Sequence, residues 1–252
     1  MIPIHPVYLI VGFGGGIFLF IKGFLWLKKK RLIENIPTSK IRSIAMGLVE
    51  IYGEVVPWKG VLKSPFSNKE CVYYKFSIEE YRRAGKHSSW VTVKTGEAGM
   101  NFYIKDNTDK VLIDPTEAEV NVLQDYSFSS GFGKDPPLAI KQFLKVNNMN
   151  FESFLGLNKQ MRYHEYFIAP KDKLYILGTA DDNPFVKDGN STKNTEDIII
   201  QKGKNKDIYL ISDKDEKEIL SSLTWKAFGG VFGGAVLTIG SLIIILIDLK
   251  LL

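Results

Sequence analysis

Two apolar runs, one near each end, constrain this chain more than any other feature. Residues 7–27 read VYLIVGFGGGIFLFIKGFLWL, with Lys22 as their only charge, and residues 228–247 read FGGVFGGAVLTIGSLIIILI with none. An α-helix rises about 1.5 Å per residue, so about 20 apolar residues cross a hydrocarbon layer about 30 Å thick. Both runs are expected to be transmembrane helices. Residues 28–226 between them are rich in short β-branched and aromatic stretches. The expected class is a membrane protein in which two transmembrane α-helices flank one mainly-β (α+β) soluble domain.

The charges around the first run set an expected orientation. A cleaved leader carries positive charge before its apolar run and small residues after it. Here MIPIHP carries no Lys or Arg, and Lys28, Lys29, Lys30 and Arg31 follow the run. That order marks a retained anchor with its basic end in the cytoplasm, and Lys22 can extend its ammonium toward the same headgroups. Two crossings then place residues 28–226 in the cytoplasm and both termini outside. Membrane lipid is an expected partner, since each basic residue near an anionic surface adds about 1 kcal/mol of attraction. The bland role of that cluster, an orientation signal, is preferred. Asn190-Ser191-Thr192 matches a glycosylation sequon, and in a cytoplasmic domain it reads as a loop.

Small residues mark where membrane helices approach closely. Gly12 and Gly16 in the first run, with Gly230 and Gly234 in the second, are the candidate packing positions. Read by depth from the ends of the runs, the two clusters fall at different levels, each opposite bulky residues of the other helix. Gly12 and Gly16 also offer a homo-oligomer contact between copies.

Within the central segment, GLVEIYGEVV (residues 47–56) alternates Leu48, Glu50, Tyr52 and Glu54 against Val49, Ile51 and Val55. Further strands are expected at residues 71–81, 90–94, 101–105, 110–113, 125–128, 162–169 and 173–179, with a final pair at 197–201 and 207–211. Short helices are expected at 39–45, capped by Thr38 or Ser39, and at 136–146, where prolines suit a first turn. A polar helix over 213–225 leads into the second apolar run. Residues 181–194 read as a surface loop.

The only cysteine, Cys71, opens SPFSNKECVYYKFSIEEY's strand beside Tyr73 and Lys75. A nucleophilic thiol needs a depressed pKa and usually a histidine base. His5, His87 and His164 have no spacing that places one beside it, so Cys71 reads as a structural residue on a half-buried strand. One cysteine permits no internal disulfide, and it leaves too few ligands for structural zinc. No metal or other cofactor is expected. Glu50, Glu79, Glu80 and Glu165 read as charged outer faces of strands, with no two brought together by spacing. The net charge of +5 is modest and no basic stripe interleaves with aromatics, so no nucleic-acid partner is expected.

Taken in order, SIAMGLVEIYGEV, SPFSNKECVYYKFSIEEY, FYIKDNTDKVLIDPTEAEV and YHEYFIAPKDKLYILGTA resemble the GIDE domain. That domain, also called the beside-a-membrane domain, occurs in Mulan-type membrane-bound RING E3 ubiquitin ligases. The residues carrying the resemblance are Gly47, Glu50, Gly53, Ser64, Pro65, Cys71, Tyr74, Asp106, Asp114, Pro115, Glu165 and Gly178. The family's RING would follow the second helix, where this sequence has about five residues, so a prokaryotic-type member lacking that RING is expected. The resemblance implies a domain that contacts an unidentified protein partner beside a bilayer, structurally or through those motif residues. The alternatives are an E3-type transferase by family name, or a β domain enclosing a lipid or small ligand.

Overall fold

The computed structural model describes residues 6–85, 87–152, 156–186, 195–204 and 208–248. The chain divides into two compact units, Met1–Pro37 with Asp215–Leu252, and Thr38–Lys214. The first is helical: α1 spans Pro6–Glu34, α3 spans Glu216–Phe228, and a π turn over Gly229–Gly233 carries α3 into α4, Gly234–Asp248. Asp215 caps α3 by accepting the Glu218 N–H, which satisfies one of the free donors of a first helical turn. Two helices, Tyr8–Glu34 and Glu216–Asp248, are long and apolar enough to cross a membrane.

Packing in this unit corrects the expected mismatch of glycine levels. A Cβ added to Gly16 would stand 3.0 Å from the Gly234 carbonyl oxygen, and one added to Gly230 would stand 2.8 Å from Gly23 Cα. Gly12 faces the Ser241 side chain. Gly16 and Gly234 therefore meet, while Gly12 lies against Ser241 and Gly230 against Gly23, so small side chains and backbone rather than bulky side chains face these glycines across the pair. Lys30 pairs with Glu34 one turn on, at 3.1 Å.

The second unit is built from strands β1 (Gly47–Pro57), β2 (Leu62–Lys63), β3 (Glu70–Cys71), β4 (Tyr73–Ala84), β5 (His87–Gly99), β6 (Phe102–Lys105) and β7 (Lys110–Ile113). They continue with β8 (Glu119–Asn121), β9 (Tyr126–Ser130), β10 (Met161–Ile168), β11 (Lys173–Asp182), β12 (Ile198–Gln201) and β13 (Leu210–Ser212). Helix α2 (Leu138–Val146) precedes β10.

Five of these strands close a barrel. They run β1-β6-β7-β12-β11, and β11 pairs back to β1. All neighbours are antiparallel except β7 and β12. This order, with one parallel pair, is that of an OB-type Greek-key barrel. Strand β1 serves two partners, β11 over Gly47–Glu54 and β6 from Glu54 onward. Gly53 directly precedes the change of partner, and a Cβ there would meet the Lys105 carbonyl oxygen at 2.5 Å. Glycine lets the two backbones approach there. Ile51, Val55, Phe102, Ile104, Val111, Ile113, Ile176 and Ile200 fill the interior with fully or almost fully buried side chains.

Two insertions in the barrel make the rest. Residues 58–101 separate β1 from β6, and residues 114–172 separate β7 from β11. Together they form a second antiparallel sheet, β5-β4-β10-β9. Its own core gathers Phe66, Phe76, Ile78, Met161 and Tyr163 with Ile140 and Leu144 of α2.

Several expected elements change on folding. Residues 39–45 give only a tight turn at Ile41–Ser43, and the Thr38 hydroxyl donates to Glu50 instead of capping a helix. The strand expected from Cys71 breaks at Val72, whose N–H bonds the Ile168 carbonyl while its own carbonyl takes the Met100 N–H. The expected final pair does not pair with itself: β12 and β13 each join β11, along different parts of its length. Strands β2 and β8, too short to show a period, were not legible. His5, the sequon at residues 190–192, and most of the loop expected at 181–194 lie outside the described residues.

Candidate functional site

Glu165 lies on the face of β10 that packs inward, and it is fully buried. Its carboxylate accepts the backbone N–H of Phe66 at 2.6 Å and of Ser67 at 3.1 Å, together with the Ser67 hydroxyl. Ser64 closes the same turn from within: its hydroxyl lies 2.8 Å from that of Ser67 and accepts the Lys69 N–H at 3.0 Å. The turn carries Phe66 into the second core, edge-on to Phe76, Phe143 and Tyr163 at 5.5, 5.3 and 5.7 Å between centroids. Pro65 restricts the chain just before this anchor. Tyr74, on the same sheet, is partly buried against that cluster. The Ser-Pro-Phe segment and Glu165, 99 residues apart for the Phe66 contact, thus form one structural unit.

Cys71 belongs to the neighbourhood of this carboxylate. It is fully buried rather than half-buried, and its thiol lies 3.8 Å from the Leu62 carbonyl, its hydrogen-bond acceptor. Burial first, then the charge of Glu165, push the thiol up to about 12. A thiol so placed stays protonated at neutral pH, and the thiolate is the reactive form. His164, next in sequence to Glu165, sits on the opposite face of β10 with Nε2 3.7 Å from Glu79 Oε2.

Glu50 is the second buried carboxylate, also fully buried. It accepts the Thr38 hydroxyl at 2.6 Å and the Tyr175 hydroxyl at 2.7 Å. Both glutamates correct the expectation of charged outer faces. Glu50 is aligned with Leu177 across the β1–β11 ladder, and Leu177, Tyr175, Leu210 and Ser212 are buried as well. The face of the barrel that alternation assigned to solvent is buried at this point.

The remaining motif residues serve the barrel. Gly47 opens β1 with φ 110°, a backbone region that other residues rarely adopt. At Gly178 a Cβ would stand 2.7 Å from Ile200 Cγ2 and 2.8 Å from Tyr209 Cδ2. Tyr209 donates its hydroxyl to the Asp114 carbonyl at 2.5 Å, and Pro115 packs against Gly99. Asp106 organises the β6–β7 turn, taking N–H bonds from Thr108, Asp109 and Ile41 and the Thr108 hydroxyl. Burial alone would raise its carboxyl; the hydrogen bonds outweigh that and hold it at about 2. Among the described residues, no three His, Cys, Asp or Glu side chains converge as metal ligands.

An OB-type barrel with an inserted sheet, organised by two buried carboxylates, defines the central unit. It is carried in the same chain as a unit of two long apolar helices. Residues 73–245 match the family model described as GIDE: E3 Ubiquitin ligase, and the chain belongs to this family. The family description ties the domain to E3 ubiquitin ligases. Gly47, Glu50, Gly53, Ser64, Pro65 and Cys71 precede the matched stretch, whereas Tyr74, Asp106, Asp114, Pro115, Glu165 and Gly178 lie within it. Comparisons with curated proteins and with solved structures returned no match.

Proposed function

We propose that this chain is a membrane-anchored recognition module of the GIDE type that binds a protein partner without catalysis of its own. The observation that carries the reading is the position of its reactive groups. The thiol of Cys71 is buried and raised to about 12, and the Glu165 carboxylate beside it is engaged with the Phe66–Ser67 turn. These groups build structure rather than meet a substrate. The barrel interior, filled by side chains, favours recognition on the surface over a ligand enclosed inside.

The two apolar helices span the bilayer in this reading, and Lys28, Lys29, Lys30 and Arg31 lie against anionic headgroups on the cytoplasmic side. The central unit is then cytoplasmic and both termini external. The full chain, extracted in a mild detergent, should bring down a stoichiometric protein partner, and Cys71→Ala should keep it. Purification of the chain alone under those conditions overturns recognition of a protein. Protease added to intact cells should leave the central unit uncut, and its digestion, or a glycan on Asn190, reverses the orientation. The family description favours one other reading, E3-type transfer. Ubiquitin transfer by the purified chain, abolished in Cys71→Ala, would establish it in place of the first.

A further inference from the structure

The second sheet ends in a long strand whose outer edge is open. β5 is the outermost strand of the order β5-β4-β10-β9 and runs for 13 residues, His87–Gly99. It pairs with β4 along its whole length. Among the described residues, its backbone joins no other ladder and makes no other backbone hydrogen bond. An exposed edge of this kind is a template for another strand, and natural sheets blunt theirs with proline, shortness, charge or a covering segment. β5 contains no proline, and most of its residues are Gly, Ala, Ser or Thr, so small side chains flank the backbone. Its charged residues at neutral pH are Lys94 and Glu97. The register with β4 slips between Ile78 and Glu79, leaving Val93 as an extra residue, and Val93 packs against the second core.

The register fixes which charges share a face. Phe76 and Ile78 of β4 are buried in the second core; on that side Ile78 is aligned with Lys94 and Glu80 with Val91. On the other side Lys75 is aligned with Glu97, Glu79 with Thr92, and Arg83 with Ser88. Lys75, Arg83, Ser88 and Glu97 are all exposed. Glu97 also accepts the Tyr73 hydroxyl at 2.7 Å, which holds the carboxylate at its end of the edge.

We propose that β5 pairs with β5 of a second copy of this chain, antiparallel, about a two-fold axis at Thr92. The contact is isologous and joins two four-stranded sheets into one of eight. With Val93 left as the extra residue, Glu97 of one copy comes level with Ser88 of the other. Behind Ser88 stands Arg83, which reaches over that small side chain to the carboxylate. On the opposite face Lys94 comes level with Val91 of the other copy, in line with Glu80. Symmetry makes each of these contacts twice. Charge also rejects the neighbouring registers, since like charges across strands are destabilising. An axis at Val91 brings Lys94 level with Ser89, in line with Arg82. An axis at Lys94 sets the two lysines against each other, and one at Thr95 brings Glu97 level with Thr92, in line with Glu79. The proposal goes beyond recognition of a different protein and stands independently of it.

The test uses the full chain in detergent, with micelles in excess over protein, and a short bismaleimide in a Cys71→Ala background. Thr92→Cys should cross-link between copies, with a yield that rises with protein concentration and falls with salt. Ser127→Cys, exposed on the opposite edge strand β9, should stay monomeric. Added to Thr92→Cys, Glu97→Lys and Arg83→Glu should each weaken association about 5- to 10-fold, because both symmetry-related contacts turn repulsive. Mixing those two proteins should restore linking, since each introduced charge then meets the other. Sedimentation of the chain with Cys71 intact should show the same dimer and the same loss in Glu97→Lys. The proposal is overturned by absence of the Thr92 cross-link, by equal linking at Ser127, by undiminished dimer in Glu97→Lys and Arg83→Glu, or by a mixture that links no better than its components.

Discussion

Replacing Glu165 tests whether one buried carboxylate holds the Ser-Pro-Phe turn. Glu165→Ala removes the acceptor of two backbone N–H groups and one hydroxyl. A hydrogen bond to a charged group contributes about 1.5–3 kcal/mol, and a buried donor left unmatched costs about 1–3 kcal/mol. These terms overlap, and the variant also sheds the carboxylate's own desolvation cost, so the expected loss is about 3–4 kcal/mol. Glu165→Gln keeps one acceptor oxygen and should lose about 1–2 kcal/mol. Cys71, the only thiol and fully buried, reports the opening of this region directly. Under native conditions its labelling by a disulfide reagent follows the population of the opened state. At about 1.4 kcal/mol per decade, Glu165→Ala should label more than 100-fold faster than wild type, with Glu165→Gln roughly 5- to 30-fold faster. Guanidinium unfolding of the full chain, followed by circular dichroism, should rank the three proteins the same way. Wild-type labelling rates in Glu165→Ala would refute the reasoning, since Phe66 packing alone would then be holding the turn.

Two further predictions probe the barrel. Gly178→Ala drives a methyl group into Ile200 and Tyr209; overpacking of this kind costs about 1–3 kcal/mol, and thermal unfolding should register about 2–4 °C per kcal/mol for a domain of this size. Asp106→Asn should cost about 1 kcal/mol at neutral pH by weakening the bonds that brace the β6–β7 turn. Because the folded carboxyl is held at about 2, below its ordinary 3.8, the charged form's contribution is present above pH 3.8 and fades as pH falls toward 2. The gap in melting temperature between wild type and Asp106→Asn should close across that window, and a gap unchanged at low pH would contradict the assignment.

Local patterns determined a large share of what this chain becomes. Apolar length alone marked both long helices; alternation placed β1, and short β-branched and aromatic runs bounded by turn residues placed β6, β7, β10 and β11, all within a few residues of their bounds. Motif residues sufficed for the family, because they are set by chemistry that repeats in order along a sequence. The partners of each face came only with the tertiary structure. Alternation says that Glu50 and Tyr52 share one side of β1; whether that side meets water depends on what lies over it, and Glu50 is buried while Tyr52 is 45 % exposed. Closure of β1 on β11 joins Gly47 to Ala180, and the second sheet pairs strands drawn from two separate insertions in the barrel. Such pairings rest on the balance of loop entropy against buried surface across the whole domain, which no window of sequence contains.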